Sequence, residues 1–366
     1  MKAPTPTLPR KRGREKRRLA RWRGREKRRL ARKQGRASRE RSTIPLVDGH
    51  KITVTHPDKV LFPADGITKG ELAEYDEWIA PQMIPHVRDR PLHMNRYPGG
   101  IQWNPIQQKR VPDSFPAWIK RATVDMKGGT ITHALINDSA TLVYLAQYNV
   151  VTVHVWLSRI QAITQPDMVM FDLDPSDEDF GLVRKTALAL KTMLEGLKLV
   201  PFVKVTGSRG LHVIAPITVG PTFEEVHLFA DALAQRLAAA DPDHLTTEFT
   251  KQKREGRLFL DVNRNAYAQT AVAPYAVRAK NGAPIAVPID WSEVESEKLR
   301  PDGVGIRTIA KWLKGRDDPW KSMERSQKPL PSVTESERPD RSGRRKGVSR
   351  KPPHPDPPPQ AGEGGE

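Results

Sequence analysis

Apolar positions along the chain follow two rhythms, one near 3.6 residues and one of two residues. The stretch after Thr68 is of the first kind. Thr68 and Glu71 stand at capping-box spacing, and Leu72, Trp78, Ile79 and Met83 recur on one side, which predicts a helix. Residues 169–174 read as a strand ending at Pro175. Residues 182–194 predict an amphipathic helix, with Gly196 expected as its C-cap. Residues 201–205 and 210–217 predict two strands around a glycine turn, 223–240 a second long helix, 258–262 a further strand and 308–313 a short late helix. This interleaving predicts an α/β (α+β) domain over residues 43–321, a central sheet covered by helices. Strand order does not follow from the pattern. The most apolar region, residues 131–157, is broken by Asn137, Asp138, Gln147, Asn149 and His154. No run reaches the roughly 18 apolar residues of a membrane span, so none is expected.

Charge separates the flanks from this domain. The chain has 366 residues and a net charge of +18. Residues 1–42 hold 19 Lys and Arg against 3 Glu, a net of +16, which leaves +2 for the rest. The basic pI therefore belongs mainly to the N-terminal segment and says little about the domain. That segment repeats itself, since residues 12–21 recur as residues 23–32. It has too few apolar residues to bury a core and reads as a basic low-complexity tail, either a phosphate-binding arm or a plain extension. Residues 322–366, rich in Pro, Arg and Gly, read as a second disordered tail. The chain has no cysteine, which excludes disulfides and thiolate metal sites.

The chemistry concentrates in three stretches. Asp172 and Asp174 stand two apart at the end of an apolar strand, so both project to one face while Leu173 packs inward. Paired carboxylates repel unless a cation lies between them, and their oxygens are the hard donors that Mg²⁺ or Mn²⁺ prefers. Asp261, on another apolar strand, is a candidate third ligand; a lone buried aspartate is more often satisfied by hydrogen bonds. Between strands, Thr206, Gly207, Ser208, Arg209 and Gly210 precede His212. Glycines and small hydroxyl residues let backbone N–H groups approach an anion, and Arg209 adds positive charge. An ordinary glycine hairpin with a core histidine is the plainer alternative. Together the three stretches have the parts of two-metal phosphoryl transfer.

These motifs resemble the polymerase domain of bacterial ligase D, in the archaeo-eukaryotic primase superfamily. The Asp-Leu-Asp-Pro motif stands at residues 172–175. The Ser-Gly-x-x-Gly-x-His motif stands at Thr206–His212, with Thr for Ser, and the third-aspartate motif at Asp261–Asn265, followed by residues 271–278. The resemblance implies a primase-polymerase fold and a nucleotidyltransferase in which Asp172, Asp174 and Asp261 hold two Mn²⁺ or Mg²⁺ ions. It implies a nucleotide site of His154, Thr206, Gly207, Ser208, Arg209, Gly210, His212 and Arg278. Lys59 and Lys69 match the lysines that grip a 5′-phosphate on DNA, and Arg96, Trp103, Gln108 and Lys109 fall where template and primer are held. The sequence also departs from the family. Ile106 and Gln107 replace the common aromatic residues before Gln108, Arg209 replaces a common lysine, and Asn95 stands where some relatives carry a lysine.

The resemblance further implies gapped or broken DNA with a 5′-phosphate and nucleoside triphosphates as substrates. It implies a preference for ribonucleotides, Ku and a separate DNA ligase as partners, and a cytoplasmic, nucleoid-associated location. No Lys-x-Asp-Gly ligase motif is present, so no nick sealing by this chain is expected. Two rival functions use the same residues: a DNA-end bridging module with weak or no catalysis, and a primase that starts chains de novo.

Overall fold

The computed structural model describes residues 42–176 and 179–332. The basic repeat and the Pro-rich stretch from residue 333 onward lie outside the described residues. The expected α+β architecture is present, with its main strands divided between two sheets rather than gathered in a single one.

The first half of the chain builds the smaller sheet and its cover. Helix α1 (Lys69–Val87) starts where its capping box predicts: the Thr68 hydroxyl accepts from the Glu71 N–H at 3.3 Å, and the Glu71 carboxylate accepts from the Thr68 N–H at 3.2 Å. It buries Leu72, Tyr75, Ile79 and Met83. Strands β1 (Leu92–Arg96) and β2 (Ile106–Gln108) follow, then helix α2 (Ser139–Gln147), which packs on α1, then strand β3 (Val150–Val155).

The second half builds the larger sheet. Its elements are β4 (Met168–Asp174), α3 (Phe180–Gly196), β5 (Phe202–Val205), β6 (Leu211–Pro216), α4 (Phe223–Ala240), β7 (Leu245–Thr246) and β8 (Leu258–Asp261). Strand β9 (Ala271–Val272) crosses back to the small sheet, whose order is β9-β3-β1-β2. Strand β10 (Pro288–Ile289) completes the large one, ordered β7-β8-β4-β6-β5-β10 and antiparallel except between β7 and β8.

Alternation along β4 sorts its two faces. Val169, Phe171 and Leu173 join the main core together with Val183 of α3 and Phe229 of α4. Met168 and Met170 belong to a second apolar cluster with Leu157, Ile214 and Trp320. Asp172 and Asp174 continue the face of the two methionines.

Two local expectations need correction. Gly196 does not cap α3; it is the last helical residue. The left-handed turn falls two residues later, at Lys198 (φ 65°), because Leu199 N–H closes on the Leu194 carbonyl and Lys198 N–H on that of Glu195. Leu194 and Leu199 are both buried there, and this apolar closure outweighs the preference for glycine. The tail expected from residue 322 also starts out folded. Met323 is buried, Trp320 donates to the Val203 carbonyl at 3.0 Å, and Thr218 N–H bonds the Lys328 carbonyl at 2.9 Å. Among the described residues, no helix is long and apolar enough to cross a membrane.

Candidate active site

Four titratable side chains stand in one row across the large sheet. Asp261 of β8 is paired with Asp172 of β4, Asp172 with His212 of β6, and His212 with Lys204 of β5. Directly opposed residues of antiparallel strands project to the same face, with Cβ atoms about 5 Å apart. Asp174, two residues along β4, shares that face and is opposite Phe259. The three aspartates singled out from the sequence are thus neighbours.

Each carboxylate is turned onto a cation or a donor. Asp172 Oδ1 lies 3.3 Å from His212 Nε2 and its Oδ2 3.7 Å from Arg264 Nε. Arg264 also reaches Asp261 Oδ2 at 3.5 Å, while Asp261 Oδ1 accepts from the backbone and side chain of Asn263 at 2.9 and 2.8 Å. Asp174 pairs with Arg209 at 3.1 Å and Arg254 at 3.4 Å. With side chains so placed, no three acidic or histidine groups among the described residues surround a single point as metal ligands. The donor set nevertheless fits divalent cations. Three hard carboxylates lie on adjacent strands, and two of the arginines now neutralising them, Arg209 and Arg264, are half-exposed.

Burial and neighbouring charge set the protonation states. Burial alone would raise the Asp172 carboxyl, but His212, Arg264 and Lys204 outweigh it and hold it well below the ordinary range. Burial, with the Asp172 charge beside it, raises the Asp261 carboxyl against the pull of Arg264. Burial and nearby Lys204 push the His212 imidazole down to about 4, so it is neutral at neutral pH and donates from Nε2 to Asp172. Burial also lowers Lys204 to about 7, helped by the Arg278 charge.

The glycine loop is locked against this row. Gly210 N–H donates to the Thr206 hydroxyl at 3.2 Å, and that hydroxyl donates to the Gly210 carbonyl at 3.0 Å. The Thr206 hydroxyl, expected at the nucleotide, is here engaged within its own loop. Gly207 has φ +64°, and a Cβ there would meet Arg278 Cγ at 2.8 Å and the Ile285 carbonyl carbon at 2.9 Å. Arg278 donates to the Thr206 carbonyl at 2.9 Å. Ser208 is half-buried and Arg209 exposed at the loop tip.

The small sheet supplies His154. It is opposed by His93 of β1 and Val272 of β9, and its Nδ1 has no hydrogen-bond partner among the described residues. Burial, followed by the charges of Arg278, His93, Arg264 and Lys204, lowers its pKa well below the usual histidine value. Those charges belong to the same neighbourhood as the aspartate row, so the two sheets contribute to one cleft.

The remaining candidates fall into two groups. Lys69 is the first residue of α1 and only 3% exposed; its Nζ donates to the Thr55 carbonyl at 3.0 Å. Lys59 donates its Nζ to the Pro98 carbonyl, and its own carbonyl accepts from the Lys69 N–H at 2.8 Å. Burial, with Lys59 adding repulsion, lowers Lys69 to about 8. Arg96 stacks 3.6 Å over the Tyr148 ring and donates to Gln108 Oε1 at 3.1 Å; Lys109 is half-buried beside them. Trp103 is 68% exposed.

Lys204, Arg254 and Arg264 were not among the candidates read from the sequence. Lys204 alone had a local signal, a lysine inside an otherwise apolar strand. The arginines reach the carboxylates from the loop 251–257 and from the turn after β8, contacts that no spacing rule reveals.

The chain is similar to several known proteins. Residues 68–320 match the family model described as LigD, primase-polymerase domain. The multifunctional non-homologous end joining protein LigD of Mycolicibacterium smegmatis is 33% identical over 254 residues, covering 68% of this chain and 33% of that protein. The bifunctional LigD of Bacillus subtilis is 28% identical over 272 residues, covering 74% of this chain and 44% of that protein. The chain thus spans a third to under half the length of these relatives. The solved polymerase domain of Mycobacterium tuberculosis ligase D, in complex with DNA, superposes with a TM-score of 0.71 at 30% identity, covering 75% of this chain and 99% of that one. The chain belongs to the LigD primase-polymerase domain family and is a nucleotidyltransferase.

Proposed function

We propose that this chain extends 3′ ends and fills gaps from a template at DNA double-strand breaks during non-homologous end joining. One observation carries the reading: the register that lines up Asp261, Asp172 and His212, with Asp174 beside them, next to a glycine loop and Arg278. In this reading the polymerase unit spans residues 43–321. Asp172, Asp174 and Asp261 would hold two divalent ions, Mn²⁺ or Mg²⁺. Bound there, such ions supply activation of a 3′-hydroxyl and neutralisation of the pyrophosphate leaving group.

The chain's own groups do the rest. The N–H groups of Gly207 and Ser208 face the triphosphate, Gly210 holds the loop closed through its bond to Thr206, and Arg278 pairs with the triphosphate charge. Arg209 exchanges Asp174 for a phosphate oxygen when nucleotide enters. His212, neutral, donates to Asp172 and fixes its orientation; His154 borders the nucleotide from the small sheet. Arg264 neutralises Asp172 and Asp261 between turnovers, which offsets the cost of two buried like charges. Lys59 and Lys69 grip the 5′-phosphate, at a helix start whose dipole also favours an anion. Arg96, Gln108 and Lys109 contact the strands, and Trp103 offers a stacking surface in place of the family's aromatic pair. Ribonucleotides are the favoured substrates, Ku and a separate ligase the partners, and the nucleoid the location.

The test is incorporation on a primed gap with a 5′-phosphate, comparing Mn²⁺ with Mg²⁺ and ribo- with deoxynucleotides. Asp172→Ala should abolish extension; normal extension by that variant would overturn the assignment. An unprimed single strand should give no product, whereas a primase would copy it.

A further inference from the structure

Strand β4 leads from the aspartate row past Met170 and Met168 into a cavity of about 820 Å³, within the roughly 300–1,000 Å³ of small-molecule sites. Met170, Ile214, Trp320 and Met323, members of one apolar cluster, line it. The cavity is open to solvent, since Val219, on its lining, is exposed.

Two buried polar atoms on the lining are unmatched. Lys204 Nζ and Asp167 Oδ1 are both buried without a hydrogen-bond partner among the described residues, and both residues line the cavity. Buried donors and acceptors are nearly always paired, so such orphans mark a position for a ligand group. Asp317, Asp318 and Glu324 also line the cavity, Asp317 paired with Lys321 and Asp318 with His86, and the basic groups gather around Asp167 and Lys204. Asp167 takes both Arg90, at 2.7 Å, and Arg159, at 3.0 Å, on its single oxygen Oδ2, so two guanidiniums face one carboxylate. Lys204 adds a third basic group at the inner end. Its lowered pKa, near 7, means that an anion beside it would restore the charged form. The mechanism proposed above uses neither Lys204 nor this cavity.

We propose that the cavity binds an amphipathic organic anion, its apolar body against Met170, Ile214 and Trp320 and its acid group on Lys204. Asp167 Oδ1 accepts a hydrogen bond from any donor on the ligand's far side. Lys204 is also the fourth member of the aspartate row, directly opposite His212, so occupancy changes the charge state of a group next to that row. Binding itself does not depend on the polymerase reading.

The full chain titrated with 8-anilinonaphthalene-1-sulfonate, an aromatic sulfonate of this class, should show a saturable fluorescence rise at one probe per chain. Lys204→Met should weaken binding about tenfold and Lys204→Arg should largely keep it. Ala271→Phe, which fills the cavity wall, should abolish it, and Val219→Trp at the exposed opening should weaken it if the first variant does not fold. Thermal melting identifies folded variants. Absent or non-saturable binding, or binding that neither the charge change nor the cavity-filling changes alter in folded protein, would overturn the proposal.

Discussion

Leu173 and Gly210 meet backbone to backbone: a Cβ added at Gly210 would overlap the Leu173 carbonyl oxygen. Leu173 is the residue between Asp172 and Asp174, so the loop that would hold the triphosphate is seated directly on the strand that would hold the ions. Gly210→Ala must push one of them away. The expected loss is roughly 1–3 kcal/mol of stability, as for other overpacked positions, with extension reduced at least about tenfold. Thermal denaturation and a primer-extension assay check this; a variant unchanged in both would show the approach to be loose.

The two lysines near the start of α1 give a pH signature. Lys69 falls from 10.5 to about 8 in the folded chain. A depressed lysine prefers its neutral form, so its contribution to stability is present above the unfolded value and lost as pH falls from 10.5 towards 8. A 5′-phosphate needs the charged form. The preference for a 5′-phosphorylated over a 5′-hydroxyl end should therefore shrink as pH rises beyond about 8. Fluorescence anisotropy on the two DNA ends measures it. Lys69→Ala should cut the preference by about ten- to a hundredfold, in line with roughly 1.5–3 kcal/mol for a hydrogen bond to a charged group, and remove its pH dependence.

Divalent ions should act on the fold itself. Mn²⁺ at about a hundredfold over its Kd should stabilise the chain by about 2.7 kcal/mol, and Asp172→Asn should erase the gain. Arg264→Ala leaves Asp172 and Asp261 without their shared cation, so the variant should melt earlier without Mn²⁺ and gain more from it. Calorimetry with and without the metal decides. An equal response in all three proteins would mean that the ions bind elsewhere.

Trp103 can be tested without risk to the core, because its ring is exposed. Trp103→Ala should leave the melting temperature unchanged and weaken binding to a gapped duplex by about 1–3 kcal/mol, the worth of one stacked base. Unchanged DNA binding would remove Trp103 from the template surface.

The sequence made local features legible and long-range ones only by resemblance. The α1 capping box and the shared face of Asp172 and Asp174 depend on residues two or three apart, and both are present. The placement of Asp261 opposite Asp172 joins strands far apart in the chain, which periodicity cannot reach. Lys204 was visible as a charge in an apolar strand, but its position in the row needed the order β4-β6-β5. Gly196 was a misleading signal, since buried Leu194 and Leu199 impose the left-handed turn on Lys198. The division into two sheets had no signature, because a strand's alternation does not name its neighbours.

The pairing of β4 with β8 also makes chemical competence a report on correct threading. Leu173 is opposite Leu260 just as Asp172 is opposite Asp261. Sliding β8 by a single position would turn Asp261 towards the helices and present a leucine or valine in its stead. If the proposed function holds, a misthreaded molecule of this kind would keep its DNA-gripping lysines yet copy nothing.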